Sequence, residues 1–211
     1  MRLTTRREQL AHALRLEYFT VGWNLIEAVI GMVAGVISGS VSLVAFALDS
    51  VVESASGGIL IWRLKSETAG KGAEDLERKV LKPLALAFFA LALYVTWRAL
   101  QVLALGSRPD DSPVGIGLAV VSLVVMPILA RKKKDAARQL DSRSLDADST
   151  QTNICAYLSA VLLGGLVANS LLGWWWADPL AGLVIASIAA KEGRELWVGE
   201  DTCCSRPVSP P

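Results

Sequence analysis

Apolar residues run in long blocks along this chain, and polar residues collect between them. Six blocks can be read, at residues 19–38, 41–64, 83–105, 114–130, 152–172 and 174–190. None alternates with a period of two. A backbone in lipid must also satisfy its own hydrogen bonds, so each block predicts a helix rather than a strand. At about 1.5 Å per residue, four of them are long enough to cross roughly 30 Å of hydrocarbon. The fourth and sixth reach only about 25 Å and span if nearly upright.

Composition agrees with the pattern. Of 211 residues, 53% are hydrophobic and 19% charged, too apolar a balance for an ordinary soluble domain. The net charge of +1 says nothing about partners, because the charges are sorted by segment. Lys and Arg gather in the N-terminal arm (Arg2, Arg6, Arg7, Arg15), in 63–82 and in 131–147, which includes Arg131-Lys132-Lys133-Lys134. The alternate connections are nearly bare: 39–40 and 173–178 have none, and 107–113 has Arg108 alone. Threading six helices puts every basic segment on one side, which predicts cytosolic N- and C-termini.

The expected architecture is therefore an all-α, multi-pass integral membrane protein of six transmembrane helices. Residues 1–18 form a cytosolic basic arm, 19–192 the transmembrane domain and 193–211 a short flexible tail, with no soluble C-terminal domain. The first apolar block reads as a retained anchor rather than a cleaved leader. No phosphate-binding glycine loop is present, so direct ATP drive is not expected. Ser38-Gly39-Ser40 reads as a tight turn and Trp174-Trp175-Trp176 as an interfacial anchor.

Polar residues at depth change the picture. Asp49 and Glu53 lie four apart in the second block, on one helical face. Counted from Arg63, their depths are about 21 Å and 15 Å. Acids so placed are expensive, and their usual reasons are a bound cation, a proton relay or a buried basic partner. In the first block Glu27 lies about 12 Å in. It shares a stripe with Gly31 and Gly35, which allow close helix approach, and Asn24 lies beside it. Glu27 and Asn24 are candidates for a proton group or second site, and a packing clip is the structural alternative for Asn24.

The fifth block opens Asp146-Ala147-Asp148-Ser149-Thr150-Gln151-Thr152-Asn153-Ile154-Cys155. Asp148, Gln151 or Thr152, and Cys155 form one face, with Cys155 about 10 Å in. Asn153 points roughly 140° from Asp148. As structural alternatives, Asp148 is a helix N-cap and Cys155 a small core residue. Arg98 snorkels or pairs with an acid, and Pro127 either kinks its helix or lies close enough to the end to be harmless. His12 lies outside the apolar blocks. Cys203-Cys204 reads as a pair of free thiols or metal ligands. Carboxylates with an amide or thiol opposite suit a divalent cation, and a thiol favours zinc. Ligation needs deprotonated groups, so metal and proton compete for one site.

On these residues the chain resembles the cation diffusion facilitator family of divalent-metal/proton antiporters. The run Ser38-Gly39-Ser40 through Asp49 to Glu53 resembles the family's second-helix region in spacing. Gly173-Trp174-Trp175-Trp176-Ala177-Asp178-Pro179-Leu180-Ala181 resembles its turn before the sixth helix. The resemblance implies that Asp49 and Glu53 are metal ligands on helix two. On helix five, one register supplies Gln151 and Cys155. Another supplies Ser149 and Asn153, with Asp148 the acid just before the site in both. A His-poor branch of the family lacks the soluble domain and has a motif in which Asn153 stands for Asp. Dimerisation would then run through the Gly-rich helix faces.

The function expected is efflux of a divalent metal, zinc first and manganese, iron or cobalt otherwise, in exchange for protons. The ligands are drawn from Asp49, Glu53, Asp148, Gln151, Asn153 and Cys155. The partners are metal ions, protons and membrane lipids, with no resident cofactor, no nucleic acid and no enzymatic activity. The location expected is a bacterial-type plasma membrane. The alternative is a non-transporting, metal-binding membrane partner that modulates another transporter, a reading that Asn153 and the absence of a His among the candidate ligands favour. An aspartyl-protease reading is weak, since such a site needs acids on two facing helices.

Overall fold

A computed structural model describes residues 6–68 and 74–203, apart from the side chains of 67–81, 143 and 199–203. Its elements are six helices: α1 Arg6–Ser38, α2 Val41–Thr68, α3 Glu74–Leu105, α4 Pro113–Leu140, α5 Arg143–Leu172 and α6 Ala177–Cys203. No strand occurs among the described residues. Five helices are long and apolar enough to cross a membrane. The sixth, α6, has an uncharged stretch of only 179–190, between Asp178 and Lys191. It packs along α3 and also touches α2 and α5.

The helices outrun the apolar blocks that predict them. The basic arm is largely the start of α1, where Leu10, Ala13 and Leu16 are buried. The expected basic loop at 131–147 is almost all helix, because α4 continues to Leu140. Asp141 then turns with φ 51°, and Ser142 caps α5 by accepting from the Leu145 N–H at 3.4 Å. Asp148 is therefore not the N-cap. Helix also continues through 193–203, so that part of the expected tail is not loose chain. Residues 204–211 lie outside the described residues, as do the side chains of Cys203 and Cys204.

The hairpins α1/α2 and α4/α5 and the pair α3/α6 form the bundle. The helix α2 is its central post, in contact with α1, α3, α5 and α6. Glycine lets α1 approach it: a Cβ on Gly35 would sit 2.8 Å from the Val44 side chain. Side chains such as Val29, Val36, Ile37, Leu93 and Trp97 face outward, as an apolar solvent requires. One end of the bundle carries the α4–α5 turn and the start of α1. The far end carries the α1–α2, α3–α4 and α5–α6 connections.

At the far end, Gly39 adopts φ 69° and lets α1 reverse into α2. The fully buried Asp178 carboxylate accepts from Ser40 Oγ at 2.6 Å, the Val41 N–H at 2.8 Å and Ser42 Oγ at 2.5 Å. It thus supplies the N-terminus of α2 with a tertiary cap, and an anion there complements the helix dipole. The exposed rings of Trp174 and Trp176 stack 5.3 Å apart beside it.

Candidate metal centre

Period 3.6 puts Asp49 and Glu53 on one face of α2, and α5 brings Cys155 to meet them. Both carboxyls and the thiol are buried, and one ligand atom from each lies within 4.8 Å of the others. Both Glu53 oxygens are sealed from solvent without a hydrogen-bond partner among the described residues. Buried polar atoms are nearly always paired, so an orphaned carboxylate here fits a group kept for an ion. Two oxygens and a sulfur converging at this spacing suit a divalent cation of borderline softness.

The other expected residues sort differently. Gln151 is half-buried one turn from Cys155, and its Oε1 accepts from Ser56 Oγ at 3.4 Å. Asn153 is exposed on another face of α5 and does not reach the cluster. The α5 register that faces α2 is thus the one with Gln151 and Cys155. Asp148 is buried but engaged elsewhere. Its Oδ2 accepts from Lys133 Nζ at 2.5 Å, and the same ammonium bonds Glu17 Oε2 at 3.0 Å and Thr152 Oγ1 at 3.2 Å. This buried network joins α1, α4 and α5, and Asp148 is not among the groups that converge with Asp49 and Glu53.

Glu27 is held by its surroundings. Trp23 Nε1 donates to it at 2.6 Å, Ser50 Oγ at 3.3 Å and Ser122 Oγ as well, which links α1, α2 and α4. Asn24 is wholly buried, and neither of its amide atoms has a partner among the described residues. Arg98 stays exposed and donates to Gln101 at 3.1 Å on its own helix. The helix α4 runs unbroken through Pro127. His12 is exposed.

A cavity of about 380 Å³ opens between α2, α5 and α6 at the end opposite the Trp174 turn. Ser56, Gln151, Asp148, Glu192 and Glu195 line it. Ser56 lies three residues beyond Glu53, and Gln151 four before Cys155, so its floor is one turn from the cluster. Burial first, and Glu195 second, raise the half-buried Glu192 carboxyl above its ordinary range, with Lys191 opposing.

Lys133 and Asp178 were not singled out in the sequence. Lys133 hides within a run of basic residues that resembles a solvated loop. Its signal is periodic: Ser122, Met126, Leu129, Lys133, Ala136 and Leu140 are all buried at helical spacing. Asp178 lies inside the Gly173–Ala181 motif, but nothing local ties it to Ser40.

A bundle of long apolar helices, closed around a buried acid–thiol cluster, defines an integral, multi-pass membrane protein. Residues 19–198 match the cation efflux transmembrane domain, and the chain belongs to that family. It is 27% identical to magnetosome protein MamB of Magnetospira sp. over 78% of this chain and 58% of that one. It is 24% identical to transmembrane protein 163 of Xenopus laevis over 87% of this chain and 66% of the relative. With the cation-efflux pump FieF of Salmonella newport the figures are 28%, 75% and 56%. The chain thus spans roughly half to two thirds of the length of these relatives.

Proposed function

We propose that this protein carries a divalent metal, zinc first, out of the cytosol in exchange for protons. The observation that carries this reading is the convergence of Asp49, Glu53 and Cys155 within 4.8 Å inside a bundle of the cation efflux family. The metal is cargo, reaching the cluster by way of the cavity that ends beside Ser56 and Gln151. The concentration of Lys and Arg at the cavity's end of the bundle supports a cytosolic placement of that end. A thiol among the donors favours zinc over the harder manganese.

Exchange follows from the competition between metal and proton. Ligation needs the carboxylates and the thiol deprotonated, so an acidic opposite side displaces metal by protonating them. Rocking of helices around a fixed midplane site would alternate access. Asn153 lies outside the acid–thiol cluster, which takes away one of the two supports of the non-transporting alternative and leaves the other, the absence of a His ligand.

The test is zinc flux into proteoliposomes under an imposed pH gradient, with the natural chain and Asp49→Ala compared. Proton-driven flux that Asp49→Ala abolishes supports the antiport reading. Flux indifferent to the gradient points to a passive channel. Absence of zinc and manganese flux from folded protein sinks the transport reading.

A further inference from the structure

Among the described residues, two side chains at one level of the bundle have polar atoms that are buried and unpartnered: Glu53 on α2 and Asn24 on α1. Their levels follow from the packing of the two antiparallel helices. A Cβ on Gly57 would meet Val21, a Cβ on Gly31 would meet Ala47, and Ser50 bonds Glu27. Interpolating between these pairs places Asn24 opposite residues 53 and 54. Asn24 shares its buried stripe with Glu17, Glu27 and Gly31, the face of α1 turned inward. Glu27, one turn further along, accepts from Ser50, which lies between Asp49 and Glu53 on α2, so this face of α1 looks onto α2 at the cluster.

Leaving a buried amide unsatisfied is costly, and Asn24 has no partner for its oxygen or its nitrogen among the described residues. A residue kept only for packing would be served better by Leu at the same volume. Asn24 Oδ1 is an acceptor with no proton to lose, at the height where Glu53 presents two unpartnered oxygens. The cluster itself offers three donors, whereas zinc is held by four in closed sites. One of the two α5 registers that the family resemblance leaves open offers Gln151 as the fourth, but the Gln151 carbonyl is bonded to Ser56 in the cavity wall.

We infer that Asn24 of α1 supplies the fourth donor of the metal centre, its Oδ1 completing the set of Asp49, Glu53 and Cys155. This rests on the cation-site reading above. The set becomes two carboxylates, a thiolate and a neutral amide oxygen drawn from three helices. Metal occupancy then draws α1 against α2 and α5. The neutral amide leaves the occupied site less negative than a fourth carboxylate would.

Cobalt(II) titration of the purified full chain in detergent tests this. The thiolate-to-cobalt charge-transfer band reports Cys155, and the d–d bands report coordination number. The natural chain should show both, and Cys155→Ser should lose the charge-transfer band. Asn24→Leu should keep that band at saturating cobalt, weaken binding by about tenfold or more, and alter the d–d intensity. Asn24→Asp should tighten binding. The metal-free Asn24→Leu protein should melt at a higher temperature than the natural chain, whereas a structural Asn24 would make it melt lower. Unchanged cobalt affinity and d–d bands in Asn24→Leu overturn the role of Asn24 alone. Absence of a cobalt spectrum in the folded natural chain overturns both it and the cation site.

Discussion

Asp178 and Glu53 are both carboxylates sealed inside one bundle, at 0% and 4% exposure, and their surroundings are opposite. Asp178 accepts three hydrogen bonds and joins the α1–α2 turn to α6. Glu53 accepts none from the described residues and faces a second acid and a thiol. Burial alone therefore does not distinguish a structural acid from a site acid; the count of partners does. The Lys133 network is of the Asp178 kind, an internal brace, although Glu17 Oε1 in it has no partner.

The largest effect that sharpens this contrast is at Lys133. Lys133→Met leaves Glu17 and Asp148 buried without their cation and should destabilise the protein by about 3–5 kcal/mol. Replacing all three together, with Glu17→Met, Lys133→Met and Asp148→Leu, should recover most of that loss, as thermal melting in detergent would show. A triple variant as unstable as the single one would mean that the network does more than balance its own charge.

Asp178→Ala comes next, with an expected cost of about 3 kcal/mol, since Ser40, Ser42 and the Val41 N–H all lose a charged acceptor. Glu53→Leu should have the opposite sign. Removing an unpartnered buried carboxyl should stabilise the metal-free protein by about 1–3 kcal/mol while zinc flux is lost. The contrast fails if both substitutions lower the melting temperature alike.

The smallest effect belongs to Asn153. It is exposed, so Asn153→Ala should change stability by no more than about 0.5 kcal/mol and leave zinc flux intact. Lost flux in that variant would return α5 to the other register.

Much of this was legible beforehand. The helix-forming blocks, the acid pair at depth and the glycine stripe of α1 all follow from spacing along one chain. Between the two α5 registers the sequence could not choose, because Gln151 and Asn153 lie close together in a polar stretch. The rotation of α5 against α2 turns Cys155 inward and Asn153 out, a difference that only packing sets. The bond from Lys133 to Asp148 was not legible because Lys133 is hidden in a basic run.

What the sequence by itself determined is whatever depends on neighbours within a few turns: which segments are helical, which faces are apolar, and how deep Asp49, Glu53 and Glu27 lie. Backbone hydrogen bonding and the 3.6-residue period are local, so these are written directly in the order of residues. Only the tertiary structure decided which buried acids are neutralised and which are kept open. The partners are far apart in sequence, with Lys133 116 residues from Glu17 and Asp178 138 from Ser40. The energy of a buried charge depends on distance and medium, and both are set when helices from distant parts of the chain pack together.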